Sequence, residues 1–471
     1  MPSQPNRSDV PGEGRGFGAA RVAPPAGAFE LTAYRALTRI ARPAASLILR
    51  MRERRGKEDP GRKSERLGRA GLARPEGPLV WVHAASVGEA NSVLPLVAAL
   101  GERRPGLTVL LTTGTVTSAR AIGPRLPAHA IHQYVPLDAP QLVARFLDHW
   151  RPDLAVFTEQ EIWPNLIVET GSRGVPLALV NGRMSEASFE RWQKRPRLAR
   201  ALFGRFGTVL AQSQVFAERF ASLGAGGARS TGNLKIDAPA LPVDTGALAA
   251  LDTALAGRPH FIAASTHDGE ERIIAAAHRT LRDQLEGFVT IIAPRHPERG
   301  PSLEETMRAE GFVVAQRSRG ELPGAHTEIY VADTIGELGT LYAASPVAFI
   351  GGSLIDHGGQ NPIEAVRHGA AVLTGPSWHN FEDAYEALLA KGGAVEVSMA
   401  AEIAEQVAAL LTDEQRLETS RRNASAALAE LAGALERTLE VLLPLVPEIG
   451  HAGIGHAETG RAATGDVARA S

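Results

Sequence analysis

The sequence predicts an α/β protein made of two doubly wound parallel-sheet domains. Three observations lead there. The chain has 471 residues, more than one hydrophobic core ordinarily organises. Short apolar runs alternate with helical stretches, the pattern of parallel strands covered on both faces. These runs fall into two sets, separated by the Pro-rich segment Asp237-Ala-Pro-Ala-Leu-Pro-Val-Asp244. Such a segment reads as a linker.

In the first set the strands are predicted at Leu79–His83, Leu107–Thr113, Leu154–Glu159, Leu177–Asn181 and Val209–Ser213. In the second they fall at Phe261–Thr266, Val289–Pro294, Ile329–Asp333, Val347–Gly352 and Ala371–Gly375. The domain plan is a first domain over 75–236, a linker over 237–246 and a second domain over 247–448. Residues 1–28 are Pro/Gly-rich without the apolar core of a secretory signal. They read as a disordered extension, and the Gly/Ala/His-rich stretch 449–471 reads as a disordered tail.

Residues 29–52 carry helical periodicity. Arg35, Arg39, Arg42, Ser46 and Arg50 fall within about 80° of one another on a helix, and Leu37, Ile40, Ala44, Leu47, Ile48 and Met51 fall opposite. Pro43 predicts a kink. A basic face against an aliphatic one suits a helix lying in a membrane interface. It also suits a helix packed on the protein body. Arg52, Arg54, Arg55, Lys57, Arg62, Lys63, Arg66 and Arg69 extend the basic character, so residues 29–74 are assigned as a membrane-anchor region. No stretch has the roughly 18 unbroken apolar residues of a span.

The formal net charge of −2 gives no global attraction to nucleic acid. The chain has no cysteine, which excludes disulfides and thiolate chemistry. The histidines 83, 267, 296 and 357 stand on different loops without a His-x-x-x-His pair, so no metal is expected.

Polar residues cluster where strands end, and that edge of a doubly wound sheet is where ligands bind. His83-Ala-Ala-Ser-Val-Gly-Glu89 leads from the first strand into a helix. Gly88 permits close approach of a ligand. Glu89 reads either as a general base or as a first-turn residue favoured by the helix dipole. Glu159, Glu161, Trp163 and Asn165 follow the next predicted strand of this kind, with Pro164 suited to a helix start. Asn181-Gly-Arg-Met-Ser185 offers Arg183 to a phosphate or carboxylate, while Ser185 suits a helix cap. Lys235 stands at the domain border, within reach of an anion in the cleft or simply on the surface.

In the second half, Ser265-Thr-His-Asp-Gly-Glu-Glu271 opens a helix whose amides form an anion site. Pro294-Arg-His-Pro297 places Arg295 and His296 on the same sheet edge. Asp333-Thr-Ile-Gly-Glu-Leu338 is another polar turn. The strongest signal is Gly351-Gly-Ser-Leu-Ile-Asp-His-Gly-Gly-Gln-Asn-Pro-Ile-Glu364. Its glycines admit a ligand, and Asn361 and Glu364 share one helix face. Neither the P-loop nor the dinucleotide-binding spacing is present.

In order and spacing, these segments resemble the 3-deoxy-D-manno-octulosonic acid (Kdo) transferases of lipopolysaccharide synthesis, from about Leu31 to Leu443. The resemblance implies a GT-B fold: two Rossmann-like domains facing a cleft, with an amphipathic membrane-associated helix at the N-terminal side. It implies inverting transfer of Kdo from CMP-Kdo to a lipid A precursor, lipid IVA, at the cytoplasmic face of the inner membrane. By the same resemblance Glu89 is the catalytic base. The donor would meet Ser265, Arg295, His296, Gly336, Glu337, Gly352, Ser353, Asn361 and Glu364, with the amides near Gly352 and Ser353 stabilising the departing phosphate. The acceptor would meet Ser86, Gly88, Glu159, Glu161, Trp163, Asn165, Arg183 and Lys235. No cofactor, metal or nucleic acid is implied. Gln360 departs from an expected His, and Ile335 from an expected Met. The alternatives are another GT-B nucleotide-sugar enzyme, using UDP-sugars, or a non-catalytic membrane-associated binding protein.

Overall fold

A computed structural model describes residues 28–448, apart from the side chains of Arg42 and Pro43. The expectations of disorder at both ends lie outside the described residues. Fourteen strands form two parallel sheets of seven. The first sheet holds β1 (Leu79–His83), β2 (Thr108–Thr113), β3 (Ala130–Tyr134), β4 (Leu154–Thr158), β5 (Leu177–Gly182), β6 (Thr208–Ala211) and β7 (Ala228–Ser230). The second holds β8 (His260–Thr266), β9 (Val289–Pro294), β10 (Val314–Gln316), β11 (Ile329–Val331), β12 (Val347–Ile350), β13 (Ala371–Thr374) and β14 (Ala394–Glu396).

The strand orders are β3-β2-β1-β4-β5-β6-β7 and β10-β11-β9-β8-β12-β13-β14. The order reverses direction between β1 and β4 in the first sheet and between β8 and β12 in the second. Crossover helices on either side of such a point diverge and leave a crevice at the strand ends. The central strands are apolar and buried throughout; in β1 every residue is inaccessible. Each sheet therefore has a core on both faces, one pair of clusters per domain.

The domain boundary departs from the sequence expectation. The helix Ala434–Leu442, assigned to the second domain, crosses back and packs on the helix Val87–Arg103 of the first. Ala434, Leu439 and Leu442 are buried in the first domain's core. Asp237 fixes the crossing by accepting from the backbone N–H of Gly433 at 2.8 Å and of Leu435 at 2.6 Å. The helix's apolar stripe had a covered face to find, and its sequence does not say on which domain.

The N-terminal region forms two helices, Phe29–Ile40 and Arg42–Arg54. They break at Ala41, where Ala44 N–H bonds to Ala41 O. Pro43, in the first turn of the second helix, has no N–H to continue the ladder. Leu31 and Ala45 are buried against the first domain, and Leu49 is also buried. Arg35 also turns inward, onto Glu169 at 2.6 Å. Leu37, Ile40, Leu47, Ile48 and Met51 are exposed. No helix among the described residues is long and apolar enough to cross a membrane.

Half of the basic run is engaged in ion pairs within the protein. Glu58 accepts from Arg52 and Arg66, Glu65 from Arg62, and Glu53 from Lys63. Buried Arg66 also donates to Val135 O and Gly114 O. A buried cation needs such partners, so Arg66 is a staple of the fold, while Arg52, Arg62 and Lys63 are half-buried ion-pair partners beside it. Arg54, Arg55, Lys57 and Arg69 remain exposed.

Candidate active site

The first-domain half of the site is built where β1 and β4 end. Ser86 caps the helix Val87–Arg103, accepting from Glu89 N–H at 3.3 Å. The Glu89 carboxylate reaches back to Ser86 Oγ (2.7 Å) and Ala85 N–H (3.0 Å), and sideways to Thr158 Oγ1 (3.0 Å). Both sequence readings thus meet in one residue: Glu89 sits in the first turn bonded to the capping Ser86 and also bridges the two central strands at the switch point. A carboxylate has about four acceptor positions. Ser86 and Ala85 take two, and Thr158, whose one O–H proton also lies 3.0 Å from His83 O, reaches a third, which leaves room for an incoming hydroxyl. Gly88 is exposed, and a Cβ there would meet nothing within 4 Å, so the space beside Glu89 is open.

Two further carboxylates share this edge. Glu161 has its carboxyl pushed up to about 7, first by burial and then by the charge of Glu89. A bond from the Trp163 indole N–H opposes that shift, and Trp163 itself is exposed. His83, buried with Nε2 at 3.9 Å from Glu161, is pushed down to about 4 by burial. Glu159 pairs with Lys235 at 2.8 Å. The Lys235 ammonium also lies 5.3 Å from the Phe381 ring of the second domain. Arg183 donates across to His379 O at 2.9 Å. Lys235 and Arg183 therefore close the cleft from the first domain's side.

The second-domain half is built where β8, β9 and β12 end. Arg295 and His296 are exposed after β9. His267 and His357 approach to 4.1 Å between ring centroids, and His296 lies 6.0 Å from His267. The histidines stand apart in the sequence, and the pairing of β8 with both β9 and β12 brings their loops together. Burial, then the nearby His357, His296 and Arg295, push His267 down to about 4. Its Nε2 lies 3.1 Å from Gln360 Nε2; a neutral ring accepts there. Gln360 thus does what a second histidine would do only in one tautomer. Asn361 donates to Glu364 at 3.0 Å. Burial raises the Glu364 carboxyl, and Arg295 and Lys235 pull it the other way.

Backbone strain marks the same edges. Glu159 (φ 49°), Asn181 (φ 52°) and Ser265 (φ 56°) hold left-handed conformations at the ends of β4, β5 and β8. Non-glycine residues rarely do so, and such strain concentrates at functional sites.

Three expected contacts are corrected. Asn165 is wholly buried, and its amide donates to Asp138 O (2.8 Å) and Thr38 Oγ1 (3.1 Å). It anchors an N-terminal helix and cannot meet an acceptor. Glu337 is committed to Arg317 and Thr334, closing a turn beside exposed Gly336. The amides of Gly352 and Ser353 are already occupied: both donate to the carboxylate of Glu270, at 2.7 and 3.1 Å. Ser353 Oγ is spent on Ile350 O and Gly375 N. Sequence reasoning also missed Thr158, whose only signal is its place at the end of a central strand.

Two doubly wound domains, with carboxylates on one sheet edge and cations and imidazoles on the other, define the GT-B class of fold. A solved UDP-GlcNAc 2-epimerase from Neisseria meningitidis shares the fold, with a TM-score of 0.55 at 15% identity over 78% of this chain and all of that one. A family model described as 3-Deoxy-D-manno-octulosonic-acid transferase (kdotransferase) matches residues 61–238. The chain is 36% identical to a probable mitochondrial 3-deoxy-D-manno-octulosonic acid transferase of Arabidopsis thaliana, over 89% of this chain and 96% of that relative. It is 34% identical to the 3-deoxy-D-manno-octulosonic acid transferase of Haemophilus influenzae, over 80% and 89% of the two chains. The chain belongs to the Kdo transferase family.

Proposed function

We propose that this enzyme transfers Kdo from CMP-Kdo to lipid IVA in a single inverting displacement, with Glu89 as the base. The acceptor hydroxyl oxygen attacks the anomeric carbon of Kdo. The bond from that carbon to the phosphate oxygen breaks, CMP leaves with the electron pair, and the hydroxyl proton passes to Glu89. The observation that carries this reading is the Glu89 carboxylate, held by Ser86 Oγ and Ala85 N–H beside the Thr158 hydroxyl at the β1/β4 switch point, with acceptor capacity left over. Arg295 is exposed opposite and suits the charge developing on the phosphate. Lys235 and Glu364 lie between the two halves and suit the donor's carboxylate and hydroxyls.

The acceptor is a lipid, which places the reaction at a bilayer. Exposed Leu37, Ile40, Leu47, Ile48 and Met51, beside exposed Arg39, Arg50, Arg54 and Arg55, suit a pair of helices lying on an anionic surface. The cytoplasmic face of the inner membrane is the surface this reading requires.

Glu89→Gln tests the base. Turnover should fall by about 10²- to 10⁴-fold, while CMP-Kdo binding stays within a few-fold of the wild type. Near-normal turnover would exclude the assignment.

A further inference from the structure

The loop after β12 forms a cup of backbone N–H groups, and one of the protein's own side chains already fills it. Glu270 is fully buried. Its carboxylate accepts from the N–H groups of His267 (2.8 Å), Gly352 (2.7 Å), Ser353 (3.1 Å) and Leu354 (3.0 Å). Successive amides converging in this way make an anion site. A glycine-rich loop at a switch point is where a doubly wound domain commonly holds phosphate. Here the anion is internal.

The filled cup lies against the imidazole cluster. A Cβ added to Gly352 would come within 3.2 Å of the His357 ring and 3.4 Å of both the His267 ring and Gln360 Nε2. One glycine therefore separates the cup from the groups beside Arg295. Any anion on that surface is a near neighbour of the buried carboxylate.

We infer that Glu270 determines donor specificity: its carboxylate holds the place of a second phosphate, so the site accepts a nucleoside monophosphate and disfavours a diphosphate. The inference rests on the CMP-linked donor proposed above. It follows from two physical facts. The amides that would receive a second phosphate are already satisfied. The carboxylate that satisfies them repels further negative charge through a low-dielectric wall.

Titration calorimetry of the full chain with CMP and with CDP tests this. Wild type should bind CDP no more than about threefold tighter than CMP. Glu270→Ala empties the cup and should raise the CDP:CMP affinity ratio at least tenfold. Glu270→Gln keeps the shape, removes the charge, and should raise the ratio about threefold; it decides the matter if the alanine variant fails to fold. The ratio within one protein cancels a general loss of stability, which a merely structural role would produce. An unchanged ratio in a folded variant, or wild type binding CDP tenfold tighter than CMP, overturns the inference and leaves the donor reading standing. Wild type that binds neither nucleotide overturns the donor reading and the inference with it.

Discussion

Glu161 decides the charge balance of the first sheet edge. Burial and the neighbouring Glu89 push its carboxyl up to about 7. A carboxyl raised in the folded state holds a proton that the unfolded chain has released. Its contribution to stability therefore falls as pH climbs from the ordinary carboxylate range towards 7. Glu161→Gln removes that titration. The variant should melt with the wild type near pH 5 and above it at pH 8, when both are followed by circular dichroism. An equal difference at both pH values would count against the raised carboxyl. Asn165→Ala leaves the Asp138 carbonyl and carboxylate short of a donor. It should cost about 1–3 kcal/mol in denaturant unfolding, with no change in donor affinity. The positions of Glu89, Glu159, Glu161 and Arg295 at the sheet edges were legible because each follows a recognisable strand, and that of Glu364 because it opens a helix after a glycine-rich loop. Glu270 and Thr158 were not: their meaning lies in which loops the sheet order brings together, and no spacing along the chain records that.

At the scale of elements, all ten central strands were legible and all four missed strands are sheet edges. β3, β7, β10 and β14 are short or partly exposed, and an edge strand need not be apolar on both faces. In the N-terminal region, helix with a break near Pro43 was legible. The direction of its faces was not, because Arg35 is aligned with exposed arginines on a helical wheel yet points at Glu169. Truncation of these helices would also uncover Val168, Ala201 and Leu202, which pack on Leu31. Substitution is the cleaner test of membrane attachment. Ile40→Ser with Leu47→Ser and Met51→Ser should move the protein from sedimenting anionic vesicles to the supernatant while the melting temperature stays put. Unchanged sedimentation would contradict the surface-bound orientation.

At the scale of the molecule, the chain crosses between domains twice, through 232–238 and again before Ala434. The two crossings lie side by side. Arg367 donates to Ile236 O, Arg437 to Thr231 O at 2.9 Å, and Asp237 caps the returning helix. Asp237→Ala should therefore loosen the returning helix and cost about 0.5–2 kcal/mol, measured by urea unfolding. On the reading proposed above, donor and acceptor would meet groups on opposite domains, and transfer would then depend on this hinge holding them face to face. The reaction to test is Kdo transfer to a lipid A precursor. Purified full-length protein incubated with CMP-Kdo and lipid IVA tests it most directly, with the lipid read by mass spectrometry. A mass gain of a whole number of Kdo units, lost with Glu89→Gln, is the expected result. No gain under conditions where a known Kdo transferase reacts would contradict it.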